Sequence, residues 1–261
     1  MNDVLAISLQ SMQQDMARLE RISLNMANAT TPGYKREVVS ALPSNAATFS
    51  DVMASESLST LGGQVPANAA QVANMLLIQT DARPGTLRST GQSLDVAVAT
   101  PGFFEVSTQA GLAYTRQGSW QLDPRGRLVT AQGNPVMGVG GEIVLSRPNP
   151  VIDATGQVFE SKPGGGAEAT PVGQLKVVNF DNPQKLHRMG DGLMSTEQVP
   201  SQLTDSEVQL RQGFLENSNV SSMHEMAQLI QSMRHFESMQ RVALGYDEMI
   251  GGAVRKLGDL S

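Results

Sequence analysis

Two helical seams, one at each end of the chain, constrain its fold more than any other feature. Both repeat apolar or small residues at alternating steps of three and four, the spacing that holds one helix face against a partner helix. The N-terminal seam comprises Leu5, Leu9, Met12, Met16, Leu19, Ser23 and Met26. The C-terminal seam comprises Met226, Leu229, Met233, Phe236, Gln240, Ala243, Asp247, Ile250, Val254 and Leu257. These seams predict terminal helices that pair with each other or with neighbouring copies. Two amphipathic helices lying on a sheet are the alternative.

The middle of the chain has short β-type runs separated by turn residues. The clearest runs are Leu94–Ala99, Phe103–Ser107, Leu112–Thr115, Arg127–Ala131, Glu142–Leu145, Gln157–Glu160 and Gln174–Phe180. Because no long helix separates them, they indicate an antiparallel β domain. We therefore predict an α+β fold, with N- and C-terminal helices paired in a coiled-coil-like inner domain around a central antiparallel β domain. The expected divisions are 1–43 for the N-terminal helix and its turn, 44–79 for a partly irregular linker, 80–215 for the β domain and 216–261 for the C-terminal helix.

Local signals predict a turn inside the β domain and the start of the C-terminal helix. Asp123-Pro124-Arg125-Gly126 places Asp, Pro and Gly where a type I turn favours them. Asn217-Ser218-Asn219 precedes the C-terminal seam and supplies several possible N-caps for its helix.

Composition excludes several classes of function. The net charge of −6 and the pI near 5.1 argue against nucleic-acid binding, which needs a basic face. The adjacent Lys35 and Arg36 are interpreted as solvated surface. No apolar run approaches the roughly 20 residues that span a bilayer, and the first residues do not form an ordinary secretory signal. The absence of cysteine excludes disulfides and thiolate metal sites.

Methionine is abundant in the seams, and the chain contains 14 methionines in all. Its flexible side chain fills irregular gaps and tolerates several packing geometries. Since Ser23, Gln240 and Asp247 also fall in the seams, an isolated helix pair should be weak. We therefore expect the ends to become well ordered inside a larger assembly.

Motifs that would carry catalysis fail on inspection, and we expect no catalytic, cofactor-binding or metal-binding residues. The segment from His224 begins like a zinc-protease helix motif, but Gln228 stands where the second histidine is required. The glycine-rich segment 138–141 lacks the Lys and Ser/Thr of a phosphate-binding loop, so a tight turn is the better interpretation. His187 and His235 have no evident ligand partners in sequence.

One motif remains, the string LNMANATTPGYK at residues 24–35. Physically it ends a helix, because Pro32 disfavours helical geometry at the preceding residue and Gly33 permits a sharp turn. The complete string resembles the signature that closes the N-terminal helix in the flagellar rod, hook and hook-associated proteins. The matching signature residues are Asn25, Asn28, Thr31, Pro32, Gly33 and Tyr34.

Further segments extend this resemblance over nearly the whole chain. Residues 85–98 with 102–106 resemble the start of the family's β domain, and residues 213–220 (GFLENSNV) resemble the lead-in to its C-terminal helix. Residues 133–143, 171–178 and 234–237 favour the proximal rod type over the distal rod type. The chain departs from the family pattern at Thr100-Pro101 and at His235.

The resemblance implies a structural subunit of the bacterial flagellar rod, the drive shaft that crosses the periplasm. It implies export by the flagellar type III apparatus, and assembly with copies of the chain and with other rod proteins. The expected assembly seam is formed by Leu5, Leu9, Met12, Met16, Leu19, Met26, Met226, Leu229, Met233, Phe236, Ile250, Val254 and Leu257.

Two other classes of function stay open from sequence. A glycan-binding or enzymatic β domain on a helical stalk predicts a cleft with clustered carboxylates or aromatics, for which Trp120 is the single tryptophan. A soluble coiled-coil adaptor predicts stable helical dimers, and the polar, Met-rich seams argue against it.

Overall fold

The computed structural model describes residues 3–41, 76–162 and 166–258. Helix α1 spans Asp3–Ala27 and helix α2 spans Ser222–Gly258. The two helices are in contact, so the prediction of paired terminal helices in an α+β fold is confirmed. Most of the linker expected at 44–79 lies outside the described residues.

Nineteen short strands are found in the described part of the chain. They are β1 (Glu37–Ala41), β2 (Leu76–Thr80), β3 (Leu87–Ser89), β4 (Val96–Val98), β5 (Phe103–Thr108), β6 (Gly111–Thr115), β7 (Gln121–Leu122), β8 (Leu128–Val129), β9 (Met137–Gly138), β10 (Gly141–Glu142), β11 (Val151–Ile152), β12 (Gln157–Phe159), β13 (Gly173–Gln174), β14 (Val177–Asn179), β15 (His187–Gly190), β16 (Leu193–Ser195), β17 (Ser201–Gln202), β18 (Leu210–Gln212) and β19 (Phe214–Glu216). A 3₁₀ turn at Pro183–Lys185 precedes β15.

The largest sheet has six strands in the order β15-β16-β6-β5-β14-β17. Its centre is the β5–β6 hairpin, in which Phe104 pairs with Thr115 and Val106 with Ala113. A three-stranded sheet has the order β11-β12-β13, and the remaining strands form pairs. Strands β18 and β19, just before α2, pair antiparallel with β4 and β3 at the start of the β domain. The two ends of the β domain are thereby joined.

Two compact units can be distinguished. Among the described residues, the first comprises 3–21, 38–41, 76–79 and 231–258. The second comprises Ile22–Glu37 and Thr80–Ile230. The last turn of α1 and the first turns of α2 therefore fold as part of the β-rich unit.

The core of the β-rich unit is aliphatic, with a few aromatic residues. Phe104 and Trp120 meet edge to face with their ring centroids 5.1 Å apart, and both are buried among valines and leucines. Phe103, Tyr114 and Phe180 belong to a second cluster, with Tyr114 edge-on to Phe180 at 4.8 Å. Burial of these side chains supplies the main driving force for folding this unit.

A three-stranded motif occurs twice in the β domain, at positions 30 residues apart. In each copy an aspartate, Asp123 or Asp153, begins a turn that ends at a glycine with positive φ, Gly126 or Gly156. The pairing Leu122↔Leu128 matches Ile152↔Val158, and Arg127↔Val144 matches Gln157↔Gln174. The carbonyls of both glycines accept a hydrogen bond from a leucine amide 19 residues later, at Leu145 and Leu175. Two equivalent hairpins thus contribute their apolar faces to one core.

Candidate functional site

The turn at residues 28–34, the signature turn, closes α1 through its own side chains. The side-chain amide of Asn28 donates to the Leu24 carbonyl at 2.9 Å, which satisfies one of the free carbonyls at the helix end. The Thr31 hydroxyl donates to the Asn28 side-chain oxygen at 3.2 Å, and the Tyr34 amide donates to the Thr31 carbonyl at 3.3 Å. The chain therefore leaves the helix in one fixed direction.

Gly33 occupies a position that a side chain cannot enter. Its φ is +69°, and its amide donates to the Glu216 carbonyl at 2.7 Å. A Cβ at this position would lie 2.5 Å from the backbone carbonyl carbon of Arg116 and from the amide nitrogen of Gln117. Both the backbone conformation and the close approach of a second segment therefore require glycine.

Asn25 connects the end of α1 with three other groups in the second unit. Its side chain donates to the Glu37 carbonyl at 2.8 Å and accepts from the Glu37 amide at 3.0 Å. The Tyr34 hydroxyl donates to its oxygen at 3.1 Å. The Asn25 amide also donates to the Glu225 carboxylate, in the first turn of α2, at 3.3 Å. A fully buried asparagine with all of these partners holds the two helix ends together.

Glu216, at the end of β19, is the centre of a buried ionic cluster. Its carboxylate accepts from Lys35 Nζ at 2.6 Å and from the Gly85 amide at 2.7 Å. Arg116 Nε lies 2.8 Å from its other oxygen, and the Arg116 guanidinium also donates to the carbonyls of Thr100 and Gly102. The side chains of Lys35, Arg116 and Glu216 are each at most 3% exposed.

Burial governs the ionisation of the two cations in this cluster. Loss of hydration lowers the pKa of Lys35, and the opposite charge of Glu216 offsets part of that effect. The pKa of Arg116 is lowered for the same reason, again with partial compensation by Glu216. One carboxylate therefore compensates two desolvated cations, so its loss would leave both without a counter-charge.

Asn219 joins the signature turn to the start of the β domain. Its side-chain oxygen accepts from the Arg36 amide at 2.7 Å, and its side-chain amide donates to the carbonyls of Asp81 and Arg83 at 2.8 and 3.0 Å. The expectation that Asn219 is a candidate N-cap for α2 is therefore wrong, since its side chain is used elsewhere. The helix begins three residues later, at Ser222.

Two arginines, Arg36 and Arg188, complete the junction. Arg36 donates through Nε to the fully buried Glu225 and through Nη2 to Gln228 at 2.8 Å. Arg188 donates to the Lys35 carbonyl at 2.5 Å and to Glu37 at 3.2 Å. Its guanidinium also lies 3.9 Å from the centroid of the Tyr34 ring, within cation–π range.

The interpretation of Lys35 and Arg36 as solvated surface is wrong. Lys35 is buried and pairs with the Glu216 carboxylate of the β domain, and the largely buried Arg36 pairs with the Glu225 carboxylate of α2. Sequence reasoning also missed Glu216, Asn219 and Glu225 as partners of the signature turn. The available signal was their position, since Lys35 ends the signature string and Glu216 and Asn219 lie in the lead-in to α2. Spacing along the chain gives no indication that segments about 180 residues apart meet.

Most of the proposed seam residues lie along the terminal helices, and their exposure differs. Met12, Leu19, Met26, Leu229 and Phe236 are half-buried. The more exposed members are Leu9, Met16, Met226, Met233 and Ile250. Leu5, Val254 and Leu257 belong to the helices, but their side chains lie outside the described residues.

The described residues offer little for the alternative functions. Trp120 is buried, so it provides no exposed platform for a sugar ring. Within residues 3–41, 76–162 and 166–258, no group of His, Cys, Asp and Glu is arranged to hold a metal ion. No helix in the same ranges has the length and hydropathy needed to cross a membrane.

Two family models match the chain. Residues 97–160 match the D1 domain of the flagellar hook protein FlgE/F/G, and residues 211–255 match the C-terminal region of the flagellar basal-body rod FlgEFG proteins. These ranges include the six-stranded sheet's central hairpin and the lead-in that carries Glu216 and Asn219.

Similar proteins extend the match to nearly the full length. The rod protein FlgG of Agrobacterium fabrum is 33% identical, covering 94% of this chain and 95% of the relative. FlgG of Buchnera aphidicola subsp. Schizaphis graminum is 30% identical over 94% and 96%. FlgF of Caulobacter vibrioides is 29% identical over the whole of both chains.

The chain belongs to the flagellar basal-body rod protein family, whose members are structural, non-enzymatic proteins of the basal-body rod. The buried junction at residues 25–37 contains most of the string at residues 24–35 that resembles a signature of this family. Among the relatives, those of FlgF type and those of FlgG type are similar to the chain at nearly equal identity.

Proposed function

We propose that this chain is a subunit of the proximal, F-type part of the flagellar rod. In this role it polymerises with copies of itself and with other rod proteins into the drive shaft that transmits torque from the motor to the hook. It reaches the rod through the flagellar type III export apparatus. Its lack of cysteine suits passage as an unfolded chain, because no disulfide can form on the way.

A stripe of exposed apolar side chains on α2 carries this proposal. Met223, Met226, Ile230 and Met233 follow a three-four spacing and are 87, 54, 48 and 49% exposed. The half-buried Leu229 and Phe236 border this stripe on one side. A contiguous exposed apolar stripe on a helix favours burial against another molecule.

The apolar exposure of α1 supports the same interpretation. Leu9 and Met16, seven residues apart and therefore on one face, are 50 and 61% exposed. Each helix thus offers an apolar stripe beyond the contact that the two helices make with each other. Non-closing contacts between such stripes build an open helical filament.

The buried junction gives the proposed assembly a way to pass force between helix and β domain. The last turn of α1 and the first turn of α2 are tied to the β-rich unit by Asn25, Glu225 and the Lys35–Glu216 ion pair. Because these bonds are buried, water does not compete for them. Force that reaches the last turn of α1 or the first turn of α2 would therefore pass to the β domain through these bonds.

Assignment to the proximal type rests on the segments 133–143, 171–178 and 234–237. The distal, G-type rod protein is the alternative, and the 33% identity to FlgG of Agrobacterium fabrum favours it. Electron tomography of basal bodies in cells that lack this chain separates the two. We expect rods whose proximal segment is itself incomplete. Rods that lack only the distal segment would identify the G type, and complete rods in motile cells would contradict both assignments.

A further inference from the structure

A carboxylate is buried in the helix pair of the first unit. The Asp15 side chain on α1 is 2% exposed, and its Oδ2 lies 2.5 Å from Nδ1 of His235 on α2. This distance is within hydrogen-bonding range, and the imidazole can donate from Nδ1 to the carboxylate. The imidazole is 47% exposed, so its outer edge remains hydrated.

The residues one turn from Asp15 on α1 and one turn from His235 on α2 are largely apolar or small. Met12 and Leu19 on α1 and Ser232 and Met239 on α2 are half-buried. Arg18 also approaches this carboxylate, with Nη1 3.9 Å from Asp15 Oδ1, but it belongs to α1 itself. The contact from α2 to this carboxylate is therefore made by His235.

We propose that the Asp15–His235 pair fixes the register of the two terminal helices. Flexible methionines and small residues pack acceptably at several offsets, and a slip of seven residues keeps the same faces in contact. A slip that replaces His235 by Val242 moves the imidazole away and leaves the buried Asp15 carboxylate without a partner from α2. Loss of that hydrogen bond at a buried carboxylate disfavours this slipped register, as a buried polar residue does in coiled coils.

Disulfide trapping on the purified full-length chain measures this register, since the chain has no cysteine of its own. The last turn of α1 and the first turns of α2 fold in the same unit, so the helices run antiparallel. Cysteines at Leu19 and Ser232 report the observed register, and cysteines at Leu19 and Met239 report a seven-residue slip. We expect the first pair to cross-link about tenfold faster than the second.

Substitutions of the pair then test its role. Asp15→Leu removes the charge and fills the space. It should bring the cross-linking rates of the two cysteine pairs to within about twofold of each other, and so reduce the preference for the observed register. His235→Leu should reduce it as well. The exchanged pair, Asp15→His with His235→Asp, should restore the preference, and Arg18→Ala should leave it unchanged. Equal cross-linking in the parent, an undiminished preference in Asp15→Leu, or no rescue by the exchange would overturn the proposal.

Discussion

At the residue scale, the signature string is explained by a few buried contacts. Asn25 and Gly33 are required by what surrounds them: a hydrogen-bond set that only an amide satisfies, and a backbone that leaves no room for a Cβ. The same buried region contains the cluster of Lys35, Arg116 and Glu216. Removing one partner from such a cluster costs more than the cluster contributes, because the others stay buried and charged.

Replacing Glu216 with Gln should therefore destabilise the chain strongly. The neutral amide leaves Lys35 and Arg116 without a counter-charge, and we expect a loss of about 3–5 kcal/mol in the free energy of unfolding. Denaturant melts followed by circular dichroism measure it. Glu168→Gln removes a surface partner of Arg147 and should cost less than about 1 kcal/mol. Equal losses in the two variants would show that the Glu216 carboxylate contributes no more to stability than one in a surface ion pair.

Gly33 and Gly91 form a matched pair for a second prediction. Their φ values are +69° and +70°, but a Cβ on Gly91 would have no atom within 4 Å. Alanine at Gly91 should cost only the backbone strain, about 1–2 kcal/mol. Alanine at Gly33 adds the collision with Arg116, for a total of at least about 3 kcal/mol. Thermal unfolding of both variants compares them, and similar melting temperatures would argue against the tight approach.

At the scale of elements, the turn that begins at Asp123 is held by hydrogen bonds and an ion pair to the Asp123 carboxylate. Partial burial of Asp123 opposes its ionisation, but hydrogen bonds from the Arg127 side chain and from the backbone amides of Arg125 and Arg127 outweigh it. The pKa of the Asp123 carboxyl is therefore held below its ordinary value.

That shift gives the stability of this turn a defined pH dependence. A carboxyl whose pKa is lower in the folded state stabilises the fold above its unfolded pKa, near 3.8, and loses this contribution as pH falls through the folded value. The melting temperature of Asp123→Asn should therefore lie below that of the parent at neutral pH. The difference should shrink as pH falls below about 4. A difference that stays constant from pH 7 to pH 3 would rule out this charge effect.

The elements themselves were predictable to different degrees. The helices and the seven runs with strong β patterns are visible in the sequence because periodicity is a local property, and each predicted run overlaps a strand. Strands such as β3, β17 and β18 have only two or three residues and form through distant partners, so no local pattern marks them. The 30-residue repeat was missed because its two copies share few identical residues, among them the turn Asp and Gly.

The site was predictable only in part, for the same physical reason. The string at residues 24–35 identifies the turn, and Gly33 in it indicates a special backbone. Nothing local to Lys35 shows that a carboxylate 181 residues away will bury it. Likewise, the apolar spacing on α2 does not show which residues face α1 and which stay exposed.

At the scale of the whole molecule, the chain combines a β-rich unit that has its own core with helices that retain exposed apolar stripes. The β-rich unit has most of the buried apolar side chains among the described residues, and it holds one end of each helix. The stripes on α1 and α2 are then free to contact other subunits. We propose that these stripes assemble the rod.

Recovery of the chain in isolated basal bodies tests that claim most directly. Met233→Glu places a charge on the exposed stripe of α2, whereas Gln231→Glu places the same charge on an exposed position of another face. We predict that Met233→Glu is exported and keeps its β-rich unit folded, but is lost from basal bodies and abolishes motility, while Gln231→Glu assembles normally. Basal bodies that contain Met233→Glu at parental levels in swimming cells would contradict the account.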